Sequence, residues 1–451
     1  MFIHKIKSEG LSHLSYLVGN NGQAFVVDPR RDCEVYIEEA AKAGCRITHV
    51  FETHRNEDLI SGAPILAQLT GARVLHGPNA AGDVTYADTT RDGETFEFGN
   101  LRVQVLETPG HTDDSLSFAL FDTDFGEDAV GVFTGDALFI GDVGRTDFYP
   151  DRAEEVAGLL YDSLQKIMAL GDQALLYPAH GAGSVCGDNM ADREFSSLGY
   201  ERRGNRMVGI NSREQFIREK VTEHHYQPPY FRLMEKLNLT GADPAPRVAT
   251  PPPLSPGEFR RLPDRTAIVD VRNVSAFLGA HLPGSLAIPA PMVPAFAGWY
   301  IEPGQPVVLV AADPAQARLA SEHLIRIGLD NLQGFLTTDM PEWSAKGLPF
   351  HSLPVMHVDD IRERFRKPPE GWQLLDVRSI TEYQGEAIEG SVHAYVGELP
   401  QKLDQLDRNR HYTVMCASGA RATIAASILE RAGFSRVDVF LGSFGAWKST
   451  D

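Results

Sequence analysis

The chain has 451 residues, 43% hydrophobic and 23% charged, with a formal net charge of −19. That balance supplies several buried cores, excludes a largely disordered chain, and makes nucleic acid or anionic lipid a poor partner. There is no run of about 18 apolar residues, the charged start MFIHKIKSEG has no signal-peptide core, and the four scattered cysteines form no CxxC or disulfide pattern, so no membrane-spanning helix and a reducing, cytoplasmic setting are expected.

Residues 14–18 and 23–28 flank Gly19-Asn20-Asn21-Gly22, which signals a β-hairpin. Residues 34–43 read as a helix and 47–52 as a buried strand. Residues 57–69 have helical spacing, with Gly71 as the stop. Residues 103–107, 116–120 and 130–133 read as further strands. Strands interspersed with helices predict a layered α/β sandwich over residues 1–240. The proline-rich stretch 241–257 cannot form a helix or a sheet interior and predicts an extended linker.

Beyond it lies an internal repeat. Ile268-Val269-Asp270-Val271-Arg272 returns as Leu374-Leu375-Asp376-Val377-Arg378 at an offset of 106 residues, and His281-Leu282-Pro283-Gly284-Ser285 returns as Ala387-Ile388-Glu389-Gly390-Ser391 at the same offset. The apolar run 306–311 matches 411–416 at an offset of 105, and the helix ends Ile327-Gly328-Leu329 and Ala432-Gly433-Phe434 keep that spacing. Two copies of one small α/β domain are expected, over 258–350 and 355–451, each with a parallel sheet.

Chemistry-bearing residues cluster at predicted strand ends: His54 in ETHRNEDLISG, His111 in ETPGHTDDS, Asp136 in FTGDALFIGD and His180 in YPAHGAGSVCG. Four such pieces in this order resemble the metallo-β-lactamase superfamily over residues 1–240, which implies an αββα sandwich with metal ligands at one edge. The departures from the superfamily's HxHxDH motif matter most. The second His position is Asn56 and the last is Leu59, and neither is a good transition-metal ligand. What remains is His54, His111 and Asp136, a facial set of two imidazoles and one carboxylate of the kind that holds Fe(II) in oxygenases. With Gly141-Asp142-Val143-Gly144-Arg145-Thr146-Asp147, these residues resemble the persulfide dioxygenase branch. That resemblance implies one Fe(II) per chain, O2 as co-substrate, and a thiol persulfide of the glutathione, coenzyme A or bacillithiol type as substrate. His180 is expected to line the pocket, Asp58 to bond a ligand imidazole or a backbone amide, and Arg145 either to hold anionic substrate or to make an ion pair. Cys186, six residues after His180, is a candidate sulfur relay or a buried small residue.

Cys416 opens the loop Cys416-Ala417-Ser418-Gly419-Ala420-Arg421 between a strand and a helix. Backbone N–H groups and the helix dipole there favour a sulfur anion, and Arg421 adds positive charge. The loop resembles the active loop of the rhodanese sulfurtransferases, which implies sulfane-sulfur transfer to or from sulfite and thiosulfate. The first copy has Ala311 in place of Cys416, and Asp313-Pro314 where an anion cradle should be, so it is expected to be catalytically dead. Cys33 and Cys45 read as packing residues. A homo-oligomer, dimer or tetramer, is expected. Rival readings are a dinuclear zinc thioester hydrolase of the glyoxalase II type fused to a sulfurtransferase, and a sulfur-sensing scaffold.

Overall fold

The computed structural model describes residues 1–80, 82–184, 187, 190–242, 250–337 and 340–449. The chain forms two compact units, residues 1–247 with 325–328, and the remainder. Cys186 and residues 243–249 of the expected linker lie outside the described residues.

In the first unit, two sheets face each other. The six-stranded sheet is built by Phe2–Ser8, His13–Asn20, Gln23–Val27, Arg46–Phe51, Arg73–His76 and Asp88–Thr89, paired in that order. The five-stranded sheet runs Leu175–Pro178, Ala129–Gly135, Leu116–Asp122, Leu101–Glu107 and Thr95–Phe98. Alternation along the strands sends Phe25, Phe51, Phe98, Phe118 and Phe133 into the space between the sheets, all essentially buried. Each contributes on the order of 1.5–3 kcal/mol by leaving water, so this interior, rather than the polar edge, sets the fold. The opposite face of the first sheet packs Leu17, Val26 and Val50 against helices Glu34–Lys42 and Ala63–Thr70. The outer face of the second packs Ala119 and Val132 against Ala153–Met168 through Leu160, Leu164 and Ile167. The result is the expected αββα sandwich.

Two sequence expectations shift. The helix expected from residue 57 starts at Ala63, with Gly71 ending it in the left-handed region at φ 74°. Residues 54–62 are diverted into a loop that Asn238 of helix Phe231–Thr240 staples. Its amide nitrogen donates to the carbonyls of Asn56 (2.6 Å) and Leu59 (2.8 Å), and its oxygen accepts from the Ser61 amide (2.9 Å). The second shift concerns the described end of the proline-rich stretch, which is not a free spacer. Phe335 N–H donates to Pro252 and Leu254 N–H donates to Phe335 (2.9 and 2.8 Å), alongside edge strand Leu332–Thr337. Prolines are tolerated at a sheet edge because only one side of the segment needs donors. Pro256–Phe259 then forms a helical turn under a Ser255–Glu258 capping box.

The second unit holds two parallel sheets. One is ordered Leu286–Ala287, Ala267–Asp270, Val307–Ala311, Leu332–Thr337, and the other Val355–Met356, Val437–Phe440, His411–Met415, Trp372–Asp376, Val392–His393. The sequence repeat is a repeat of buried contacts. Arg272 pairs with Asp270 (2.6 Å) and donates to the Ala280 carbonyl (2.8 Å). Arg378 pairs with Asp376 (2.7 Å) and donates to the Glu386 carbonyl (2.8 Å). Each guanidinium thus ties the end of the first long strand to the loop after the following helix, which accounts for the shared Asp-Val-Arg.

Candidate functional site

Three strand ends deliver the candidate metal ligands. His54 follows Arg46–Phe51, His111 sits between Leu101–Glu107 and Leu116–Asp122, and Asp136 follows Ala129–Gly135. Their donor atoms lie within 4.8 Å of one another, and all three residues are buried. His54 Nε2 is 3.9 Å and His111 Nε2 3.6 Å from Asp136 Oδ2. The far side of each ring is already committed. Thr53 Oγ1 donates to Asp28 (2.8 Å), so its oxygen accepts from His54 Nδ1 (2.8 Å). His111 Nδ1 donates to the Arg145 carbonyl (3.0 Å). Both tautomers therefore turn an Nε2 lone pair toward the shared space, the orientation metal-binding histidines are given by their outer partners. Gly144 makes this possible, because a Cβ there would stand 1.9 Å from the Asp136 carbonyl oxygen and 3.3 Å from His111 Cβ.

A metal ion fits this set. His54 Nε2, His111 Nε2 and Asp136 Oδ2 are buried with no hydrogen-bond partner. Three such converging atoms would each carry a desolvation penalty of about 1–3 kcal/mol or more without a ligand. The second-metal positions of the superfamily are incomplete. Leu59 is buried and apolar, while His180 Nδ1 is 2.7 Å from Asp136 Oδ1 and its Nε2 stands 3.0 Å from Asp58 Oδ2. Among the described residues of this unit, only His54, His111 and Asp136 form a ligand cluster. Asp58 therefore contacts His180 and not a ligand imidazole, and His180 orients the Asp136 carboxylate besides lining a cavity of about 240 Å³ with Lys7, Tyr16 and Arg193. Burial pushes Asp58 above the usual carboxylate range. The same burial at Asp136 is outweighed by His180, His54 and His111, which hold it at about 2.

Arg145 is fully buried, and its guanidinium grips the Asp147 carboxylate with two contacts of 2.6 Å and lies 4.8 Å from the Phe148 ring. It makes an ion pair, and its carbonyl fixes His111. Glu57 is a neighbour the sequence did not flag. Its carboxylate is 3.3 Å from His111 Nε2 and 3.7 Å from His54 Nε2. A narrow cleft of about 40 Å³, lined by Arg55, Glu57, Thr112, Phe148, Tyr149 and Glu235, leads to it. No spacing rule marked Glu57, because it occupies a variable position of the motif. Asn238 was equally hidden, lying 182 residues from the Asn56 carbonyl it binds.

In the second unit, Cys416 is buried at the end of His411–Met415, and its Sγ accepts from the Gly419 amide at 3.1 Å. Gly419 has φ 113°, a conformation that turns its N–H back onto the sulfur and disfavours a side chain. Ala417, Ser418 and Ala420 complete the turn into helix Ala420–Arg431. Ser443 Oγ accepts from the Cys416 amide (3.1 Å) and lies 4.0 Å from Sγ. Arg421 makes a two-pronged pair with Glu382 (2.6 and 2.7 Å) that braces the loop against helix Ile380–Gly385, and its charge also interacts with Cys416. In the first copy, Asp313 Oδ1 accepts from the Gln316 amide and Gln316 Oε1 from the Ala312 amide, both at 2.8 Å. The loop's own side chains occupy donors that a sulfur anion would need. In the first unit, burial pushes the Cys33 thiol up to about 12, as for an inert packing residue. Cys45 is half-buried.

Comparison with known proteins agrees with this division. The metallo-beta-lactamase superfamily matches residues 9–180, and the rhodanese-like domain matches 255–346 and again 358–450. The hydroxyacylglutathione hydrolase of Tolumonas auensis is 33% identical over 168 residues, 37% of this chain and 60% of that protein. The mitochondrial persulfide dioxygenase of Bos taurus is 31% identical over 175 residues, 37% of this chain and 63% of that protein. The chain thus spans between half and two thirds of the length of these curated relatives. A crystal structure of a metallo-beta-lactamase from Staphylococcus aureus is 30% identical with a TM-score of 0.67, covering 74% of this chain and 98% of that one.

Proposed function

This chain belongs to the metallo-β-lactamase superfamily and carries two rhodanese-like domains, and we propose that it is a mononuclear iron persulfide dioxygenase joined to a working sulfurtransferase. Its relatives include both a persulfide dioxygenase and a thioester hydrolase, so likeness alone does not choose between them. The observation that carries the reading is the donor set. Three unsatisfied ligand atoms converge on one face, while buried, apolar Leu59 stands where a second ion would need a ligand. When bound, a ferrous ion on this face supplies open coordination positions for O2 and a sulfur anion together.

The residues do the rest. Thr53 and the Arg145 carbonyl hold the two imidazoles in the ligating tautomer, and His180 holds the Asp136 carboxylate by its other oxygen. Lys7 and Arg193 at the 240 Å³ cavity suit the anionic stem of a glutathione, coenzyme A or bacillithiol persulfide. The overall change is RSSH + O2 + H2O → RSH + sulfite + two protons. At Cys416 the reaction is exchange: a Cys416 persulfide passes its outer sulfur to sulfite, giving thiosulfate and the Cys416 thiolate, and the reverse is equally allowed. The Gly419 amide steadies the sulfur anion in both directions.

Metal content and oxygen uptake test the reading. Wild-type protein made in iron-containing medium should consume O2 with glutathione persulfide. Asp136→Ala should lose its iron and all oxygen uptake, yet keep thiosulfate:cyanide sulfur transfer. Loss of two zinc ions on that substitution, with thioester hydrolysis in place of oxygen uptake, would instead establish the dinuclear hydrolase.

A further inference from the structure

We propose a second metal site, for a divalent cation of the zinc class, where the two rhodanese-like copies meet at His281, His351 and Glu430. It lies apart from both reactive centres and does not depend on the activity assigned to them.

The site draws on both copies. His281 ends the loop after helix Val274–Gly279, His351 lies in the connector between copies, and Glu430 sits on helix Ala420–Arg431 of the second copy. The backbones of His281 and His351 pair in both directions at 2.9 Å, and the two rings stand edge to face, centroids 6.2 Å apart. Glu430 faces both: Oε2 is 2.8 Å from His281 Nε2 and Oε1 2.8 Å from His351 Nδ1. One donor atom from each residue lies within 4.8 Å of the others. Around a tetrahedral zinc with bonds near 2.0–2.1 Å, donors stand ~3.3 Å apart, a spacing the set brackets, from the 2.8 Å contacts to Glu430 up to the 4.8 Å bound on the cluster.

The protonation geometry favours a cation. His281 is completely buried, and its Nδ1 donates to the Phe277 carbonyl at 2.8 Å. A neutral ring in that tautomer presents a lone pair at Nε2. A carboxylate oxygen also presents lone pairs, and the two cannot sit 2.8 Å apart without something positive between them. Either a proton makes His281 a buried imidazolium, or a metal ion bridges the pair. A carbonyl behind Nδ1 is how metal-binding imidazoles are oriented. Two imidazoles and a carboxylate form a zinc-type donor set. His351, half exposed, leaves an open side for a water ligand. The second copy has Ala387 in place of His281, and the first has Ile325 in place of Glu430. The donor set exists only at the junction, where a bound ion would clamp the working copy to the dead one.

The test uses the full chain with Asp136→Ala, so that the first metal face cannot contribute, equilibrated with zinc at micromolar concentration, desalted and analysed for metal. One zinc per chain should remain, and zinc should raise the melting temperature. Adding His351→Ala should lower zinc affinity by at least about tenfold, the smaller end of what losing even an outer partner of a metal site costs, and should remove the zinc-dependent shift. Glu430→Gln should do the same. His351 is half exposed, and circular dichroism checks that the substituted protein is folded. Equal zinc retention with and without His351, or no zinc in the Asp136→Ala protein, overturns the proposal and leaves a proton as the bridging charge. Oxygen uptake by the His351→Ala protein with Asp136 intact should be unchanged, so this failure and that of the dioxygenase reading are separable.

Discussion

Glu57 and Glu382 are two carboxylates, one buried and one half-buried, each set against nitrogen-bearing neighbours. Glu57 is buried with its carboxylate 3.3 Å from His111 Nε2 and 3.7 Å from His54 Nε2, pressed against two ligand atoms. Glu57→Gln keeps the shape and removes the charge. Iron affinity, measured against a competing chelator, should fall about 10- to 100-fold, as for other close partners of a metal site; unchanged affinity would make Glu57 a bystander. Glu382 is partly buried, which raises it, but Arg421 holds it down at about 2. A carboxyl depressed in the folded state stabilises the protein at pH values above its unfolded range, and that contribution drains away as pH falls from about 4.5 toward 2. The melting-temperature gap between wild type and Glu382→Gln should therefore be full at pH 7 and close in strong acid. Of these groups, only the ligands were legible in the sequence. His54, His111 and Asp136 announced themselves through motif order, since strand ends fix where such residues stand. Glu382 is 39 residues from Arg421, and no local rule links the two.

The two thiol-loop positions show how much a strand–loop–helix unit depends on more than its nucleophile. The repeat offsets located both loops, because each copy keeps the same buried Asp–Arg clasp after its first long strand. The asymmetry between them was also visible in outline, as Ala311 for Cys416 and Asp313-Pro314 in the turn. What the sequence could not show is that Asp313 and Gln316 cap the amides themselves. Ala311→Cys in a Cys416→Ser background should accordingly stay at the background rate of thiosulfate:cyanide transfer. Recovery of wild-type turnover would mean that the missing thiol was the only defect. The misplaced helix start at Ala63 has the same origin. Residues 57–62 carry helical spacing, but Asn238 binds the carbonyls of Asn56 and Leu59 and draws the segment into the metal loop. Local periodicity lost to a side chain from far along the chain.

On the proposed function, joining an oxygenating face to a sulfur-carrying thiol in one chain matters because the product of one is an acceptor for the other. Sulfite leaves the first reaction, and a Cys416 persulfide needs a sulfur nucleophile to discharge onto. With both centres working, two persulfides and one O2 give two thiols and one thiosulfate. With Cys416→Ser the second half stops, and each persulfide oxidised consumes one O2 and leaves sulfite. The ratio of oxygen to persulfide consumed should therefore rise about twofold in Cys416→Ser at initial rates, with sulfite replacing thiosulfate, while the maximal rate of oxygen uptake stays near wild type. The substitution is conservative, since Cys416 is buried and Ser preserves the contact with the Gly419 amide. A ratio and product that do not change would mean that the two centres share no sulfur, however closely the gene ties them together. A loss of oxygen uptake would mean that Cys416 acts in the oxidation itself.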